Sequence, residues 1–298
     1  FTTTGATILN DIESLDHGLL MWRNETQFLG GMGFLTLTMI FLPHGMAGAN
    51  LFRSESSPGQ VITRERFLPR NRDTMIWLWI LYTIMNGFNI LLLWLGGMNW
   101  FDSICHAFST VATAGFSPKN ASMAHYGSAY FDWVTIVFMY LAGVNFSLHF
   151  RAATGRPVYF RDHEWRFYTY IVVLAALAIA VVNLTSGSYS AVEPAVRHAL
   201  FQATSITTTT GFVIADYELW VPGSQMVLFA LFFVGGMAGS TGGGIKTMRL
   251  LLLVKQTAIE LRKHLHPKAV LLIRVGDKTV KQEVLANVTG FVILYLLL

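Results

Sequence analysis

Six stretches of this chain are apolar enough to span or nearly span a bilayer: 28–43, 75–98, 131–150, 167–184, 225–239 and 284–298. About 20 helical residues cover the roughly 30 Å of hydrocarbon, so these runs leave little of the 298 residues for a soluble core. Composition agrees: 13% of residues are charged, about half of the roughly 25% usual in soluble domains. Two further apolar stretches, 100–112 and 190–206, are too short and too polar to cross, and each runs into a Thr/Gly cluster. They read as re-entrant helices, and the chain as an all-α membrane protein.

Basic residues orient it. If the six spans alternate, all of the 21 basic residues except Arg23, Lys119 and Arg197 fall on one side, which the positive-inside rule makes cytoplasmic. The formal charge of +4 is then a topology signal rather than a nucleic-acid footprint. Cys105, the single cysteine, excludes an internal disulfide and a cysteine-based zinc site, and reads as a small buried hydrophobe.

Stacking the Thr/Gly clusters reveals a repeat. FTTTGAT at 1–7, CHAFSTVATAGFS at 105–117 and FQATSITTTTGFV at 201–213 superpose on Gly5, Gly115 and Gly211, with Thr3, Thr113 and Thr209 two residues earlier. Each is followed by a span with small residues: FLGGMGF at 28–34, YLAGVNF at 140–146, FVGGMAG at 233–239. A unit therefore reads span, re-entrant helix, Thr-x-Gly loop, span. The units divide the chain into 1–73 (end of a first unit), 74–163 (second), 164–281 (third, with a glycine run and a cytoplasmic segment) and 282–298 (start of a fourth). All three loops are expected on the non-cytoplasmic side.

This unit suits an ion. Backbone outside a helix at membrane depth is tolerated only where protein or a water-filled path surrounds it. Loops converging on one axis supply rings of carbonyl oxygens in place of a hydration shell, and glycine adopts the required backbone angles without a Cβ penalty. The expected filter comprises Thr3, Thr4 and Gly5, then Thr113, Ala114 and Gly115, then Thr209, Thr210 and Gly211. Hydroxyls without carboxylates favour a weakly hydrated monovalent cation over a divalent one. Further on, Gly242, Gly243 and Gly244 follow Gly239, Ser240 and Thr241. Each glycine costs about 1 kcal/mol relative to alanine in a helix interior, so a non-helical segment inside the membrane, beneath the filter, is expected. Lys246 reads as the return to the cytoplasmic interface.

The Thr-x-Gly loops, FLGGMGFLTLTMIFLP at 28–43 and GGMAGSTGGGIKTMRL at 235–250 resemble the Trk/Ktr/HKT superfamily of potassium transporters, in particular the membrane subunits of bacterial Trk uptake systems. The resemblance covers the whole chain. It implies four units around a pseudo-fourfold pore, with Gly5, Gly115 and Gly211 coordinating potassium. It also implies that Gly239 to Gly244 with Lys246 form an intramembrane gate, that the protein is a homodimer in the bacterial cytoplasmic membrane, and that a cytoplasmic nucleotide-binding regulatory subunit is its partner. No cofactor is implied beyond the transported ion. By the same resemblance the first unit lacks its first span and re-entrant helix, and the fourth its filter loop and final helix, so the chain reads as part of a longer protein.

Other readings carry less. A sodium-conducting or cation-coupled carrier shares the fold. A nucleotide-dependent enzyme built on GSTGGGIKT at 239–247 fails the G-x-x-x-x-G-K-[ST] pattern, because Ile245 separates Gly244 from Lys246 and no strand precedes the run. No catalytic constellation stands out, so an enzyme is not expected. His264 and His266 read as a solvated helix end rather than a metal pair, and His106 and His198 as packing or hydrogen-bonding residues. Asp102, Glu193, Asp216 and Glu218 are candidates for a cation-attracting vestibule or for ordinary surface.

Overall fold

The computed structural model describes residues 1–33, 71–155, 159–266, 272–276, 278–280 and 282–297. Most of the expected span 28–43 and almost all of the basic loop 50–72 lie outside the described residues. Within them the α-helices are α1 (His17–Gly31), α2 (Asn71–Leu95), α3 (Trp100–Val111), α4 (Ala129–Ala142), α5 (Phe146–Ala153), α6 (His163–Thr185), α7 (Val192–Thr207), α8 (Pro222–Leu231), α9 (Thr247–Leu265) and α10 (Gln282–Leu297). One antiparallel hairpin, β1 (Arg274–Val275) and β2 (Lys278–Thr279), was not expected from the sequence.

Sequence chemistry sets where these helices start. Asp16, Asn99, Asn145 and Asp162 precede α1, α3, α5 and α6, and each side chain accepts a first-turn backbone N–H, satisfying donors that have no partner within the helix. Pro222 occupies the first turn of α8, where its missing N–H costs nothing. The two long helices, α2 and α6, are apolar enough to cross a membrane. On α2 the exposed Trp77, Ile80, Ile84, Phe88 and Leu91 recur at helical spacing, while Tyr82, Asn86, Asn89 and Leu93 are buried. The apolar stripe faces outward and the polar groups inward, the pattern of a helix solvated by lipid.

The short helices α3 and α7, of 12 and 16 residues, are about 18 and 24 Å long at 1.5 Å per residue, so neither reaches across the hydrocarbon. Both have the short length expected of re-entrant helices, and their faces are mostly buried. The core around them joins successive units: Leu93, Met98, Met123, Phe131, Ile136 and Met139 from the second pack with Phe201 and Phe212 from the third.

Two expected spans are not continuous helices. The run 131–150 is α4 plus α5, bent by 99° at the break, and the run 225–239 is helical only to Leu231. In the first unit α1 likewise ends at Gly31. The breaks fall at or just before the aligned small-residue motifs, and close approach explains them. A Cβ on Gly31 would lie 2.6 Å from the Ala112 Cβ and 2.9 Å from the Tyr82 hydroxyl, and one on Gly143 would lie 2.7 Å from Thr208 Cγ2 and 2.3 Å from the Tyr168 hydroxyl. The chain turns there because the following unit's loop presses on it.

Tyr82 and Tyr168 are thus equivalent residues of successive units. Each is fully buried, and each hydroxyl donates to a carbonyl three residues before the glycine it touches: Tyr82 to Phe28 at 2.9 Å, Tyr168 to Tyr140 at 3.3 Å. Tyr82→Phe removes one such bond and is expected to destabilise the full-length protein by about 1 kcal/mol. Tyr82→Ala is expected to cost about 3–5 kcal/mol through the cavity it leaves. Apparent melting temperatures in detergent check the order; a Tyr82→Ala variant as stable as wild type contradicts it.

Candidate functional site

The three Thr-x-Gly loops share one backbone conformation. Thr3, Thr113 and Thr209 have φ of 54°, 52° and 59°, and Gly5, Gly115 and Gly211 have φ of 69°, 82° and 82°. A β-branched residue with positive φ is an outlier that costs on the order of 1–3 kcal/mol and persists only where the surroundings impose it. Here the imposition is helix termination. Thr113 N–H donates to Thr110 O and Ala114 N–H to Ser109 O, and Thr209 N–H and Thr210 N–H donate in the same way to Ile206 and Ser205. This is the Schellman closure of α3 and α7, with threonine at the left-handed position that glycine usually takes. Thr113 and Thr209 hydroxyls donate back to the preceding carbonyls of Ala112 and Thr208 at 2.7 and 2.6 Å.

The loops lie side by side as a connected arc. A Cβ on Gly5 would sit 2.0 Å from the Ala114 carbonyl oxygen, and one on Gly115 would sit 2.1 Å from that of Thr210. The glycine of one loop therefore packs on the middle residue's carbonyl of the next. At Gly211 nothing lies within 4 Å. Two lateral struts complete the arrangement. His106, fully buried in α3, approaches the Asp102 carbonyl through Nδ1 at 2.8 Å, so Nδ1 donates and Nε2 accepts from the Ser117 hydroxyl at 3.0 Å. Arg23 of α1 lies over the Phe116 ring, 4.2 Å from its centroid, at cation–π distance.

Outside the arc, charges are mostly paired. Asp102 is buried, bonded to Asn99 and Tyr126 at 2.7 and 2.8 Å, with Lys119 at 3.7 Å. Glu193 pairs with Arg197, which also contacts Asp132, and Asp216 caps a short turn. The vestibule candidates thus separate: Asp102 and Glu193 hold helices, whereas Glu218 remains exposed. Residues Asp11, Ile12 and Glu13 meet Asn120 through three hydrogen bonds, tying the segment after the first loop to that after the second. The Asn120 amide beside Asp11 holds its carboxyl below the usual carboxylate range. His198 meets the Tyr189 hydroxyl, and His264 and His266 end α9 exposed. Among the described residues no group of His, Cys, Asp or Glu is arranged to hold a metal ion, and Cys105 is buried and free.

Residues 232–246 are not helical, as expected for the glycine run. The segment is a closed loop. At its neck Gly235 N–H donates to Ile245 O at 2.8 Å, Thr247 N–H to Gly236 O at 3.1 Å, and the Thr247 hydroxyl to Gly235 O at 2.7 Å. Its tip reaches the second and third Thr-x-Gly regions. The Thr241 hydroxyl lies 2.9 Å from Val111 O and 3.2 Å from Ala142 O, Gly243 N–H donates to the Thr209 hydroxyl at 2.7 Å, and a Cβ on Gly242 would stand 2.9 Å from Thr208 O. The Lys246 ammonium turns back to the Gly242 carbonyl and towards Ser240, so it closes the loop on itself.

The structure places Gly5 against Ala114 and Gly115 against Thr210, and brings Thr241, Gly242 and Gly243 to Val111, Thr208 and Thr209. The sequence reading missed Tyr82, Tyr168 and the two helix-breaking contacts of Gly31 and Gly143. A tyrosine in each of the apolar runs 75–98 and 167–184 was the available signal. Gly115→Ala is expected to destabilise the full-length protein more than Gly127→Ala. Both positions have left-handed backbone, but Gly127 has open space around it. Strain of roughly 1–2 kcal/mol is common to both, and Gly115→Ala adds about 1–3 kcal/mol for displacing a backbone carbonyl. Equal melting temperatures would contradict the packing of loop on loop.

Comparison with known proteins completes the description. Residues 1–298 match the family model TrkH, described as cation transport protein. The chain is 37% identical over 300 residues to the Trk system potassium uptake protein TrkH of Halomonas elongata, covering 100% of this chain and 62% of that protein. It is 40% identical over 304 residues to the protein of that name from Vibrio parahaemolyticus, covering 99% and 62%. The crystal structure of the potassium transporter TrkH from Vibrio parahaemolyticus superposes with a TM-score of 0.85 at 37% identity, covering 99% of this chain and 60% of that one. The chain spans about three fifths of the length of these relatives.

Proposed function

The chain belongs to the TrkH family of cation transport proteins, and on that premise we propose that it forms the larger part of a potassium-uptake pore in the bacterial cytoplasmic membrane. One observation carries the reading: three loops with the same Thr-x-Gly backbone follow one another in an arc, glycine on carbonyl. In such an arc the carbonyls of Thr3, Thr4, Thr113, Ala114, Thr209 and Thr210, with the adjoining glycines, supply uncharged oxygen ligands to a dehydrated monovalent cation. In the full-length protein a fourth loop beside Gly211 closes the ring. The relatives' names as Trk system potassium uptake proteins favour potassium over sodium. Entry is driven by the membrane potential, about 2.3 kcal/mol per charge per 100 mV. The protein acts as a homodimer with a cytoplasmic nucleotide-binding regulatory subunit, and it carries out no chemistry on the ion.

In the completed protein Gly211→Ser is expected to lower discrimination of potassium over sodium at least tenfold. A side chain at a left-handed position strains the backbone whose carbonyls set the ion's cage. Relative permeability in proteoliposomes is the measurement, and an unchanged ratio would reject the filter assignment.

The loop 232–246 is the gate. Its tip rests on the inner ends of the second and third filter loops, where Ser240 to Gly244 obstruct the path below Thr209 with small residues that can move aside. Deleting Gly242 to Gly244 is expected to raise basal potassium flux several-fold. Flux that stays at the wild-type level, in a variant shown to be folded and inserted, would leave the glycines as packing residues alone.

A further inference from the structure

One charged side chain from outside the glycine-rich loop touches both of its ends. Glu164, in the first turn of α6, is only 4% exposed. Its Oε1 accepts the backbone N–H of Ala238 at 2.7 Å and that of Met248 at 3.0 Å. These amides lie on opposite limbs: Ala238 follows the Gly235–Gly236 neck, and Met248 is in the opening turn of α9. Lys246, at the N-cap of α9, makes no side-chain cap bond. The helix therefore begins with donors that its own sequence leaves unpaired, and the carboxylate that meets one of them comes from another helix. A negative group at a helix N-terminus is favourable, but capping alone does not account for the second bond, which reaches across the neck to Ala238.

We infer that Glu164 is a positioning residue: it clamps the two limbs of the loop together at the neck and thereby holds the tip, from Thr241 to Gly243, against the second and third filter loops. This inference rests on the gating role proposed above. A single oxygen shared by two amides fixes their separation, so the loop can swing at its tip but cannot widen at its base. The geometry also makes the gate answerable to α6. The helix is continuous from His163 to Thr185, and a displacement of its first turn moves both limbs at once.

The test uses the full-length protein reconstituted alone in proteoliposomes, with Glu164→Ala, Glu164→Gln and the Gly242–Gly244 deletion side by side. Hydrogen exchange at the Ala238 and Met248 amides reads the clamp, and basal potassium flux reads the gate. Glu164→Ala is expected to speed exchange at both amides at least tenfold and to raise basal flux several-fold, a direction that general loss of structure would not give. Glu164→Gln keeps the accepting oxygen and is expected to stay near wild type in both. If Glu164→Ala does not insert, Glu164→Asp, whose carboxylate falls short by one methylene, is expected to shift both in the same direction by less. Unchanged exchange in the inserted variant overturns the clamp. Faster exchange with wild-type flux, while the glycine deletion does raise flux, overturns the positioning role. A deletion that leaves flux unchanged rejects the gate instead, and the exchange result alone then decides the clamp.

Discussion

Backbone that leaves a helix inside a membrane carries unpaired N–H and C=O groups with it, and lipid satisfies none of them. The rest of this structure follows from how those groups find partners. At four contacts one non-helical piece lies against another: Gly5 on Ala114, Gly115 on Thr210, Gly235 on Ile245, Gly243 on Thr209. One partner in each is a glycine, which lets main chain or a short hydroxyl come close. Aromatic and aliphatic bulk is pushed outward to pack behind the loops, as Phe201 and Phe212 do, or to face lipid along α2 and α6.

The Thr209 hydroxyl shows how closely the third Thr-x-Gly loop and the glycine-rich loop are joined. It donates to the carbonyl of Thr208 and accepts from Gly243 N–H. One atom group thus belongs to the filter loop's own geometry and to the loop beneath it. Thr113, its counterpart in the second unit, makes the same bond to its preceding carbonyl, while the glycine-rich loop approaches that unit through Thr241 and Val111. The two loops are alike in backbone and unlike in how the glycine-rich loop meets them.

What could be read from the sequence depended on how local the determining physics was. The Thr-x-Gly register was visible because the same residues recur at the same spacing at 3–5, 113–115 and 209–211. The non-helical glycine run was visible because consecutive glycines oppose helix regardless of context. The bend at Gly143 was not, since a single glycine in an apolar run is compatible with a continuous span, and here the Tyr168 hydroxyl and Thr208 from elsewhere in the chain decide the matter. Glu164 stands in a helix's first turn, with no motif around it to mark it. Its partners lie 74 and 84 residues away, beyond any local pattern. The fold of the Lys246 ammonium onto Gly242 was equally hidden, because the carbonyl it meets is exposed only once the chain has left its helix.

The offset between neighbouring units bears on how the protein is made. The end of α1 is shaped by the second unit's Ala112 and Tyr82, and the end of α4 by the third unit's Thr208 and Tyr168. The ends of α1 and α4 are therefore finished by residues made after them, so in a chain synthesised from its N-terminus these two closures wait for the segment that follows.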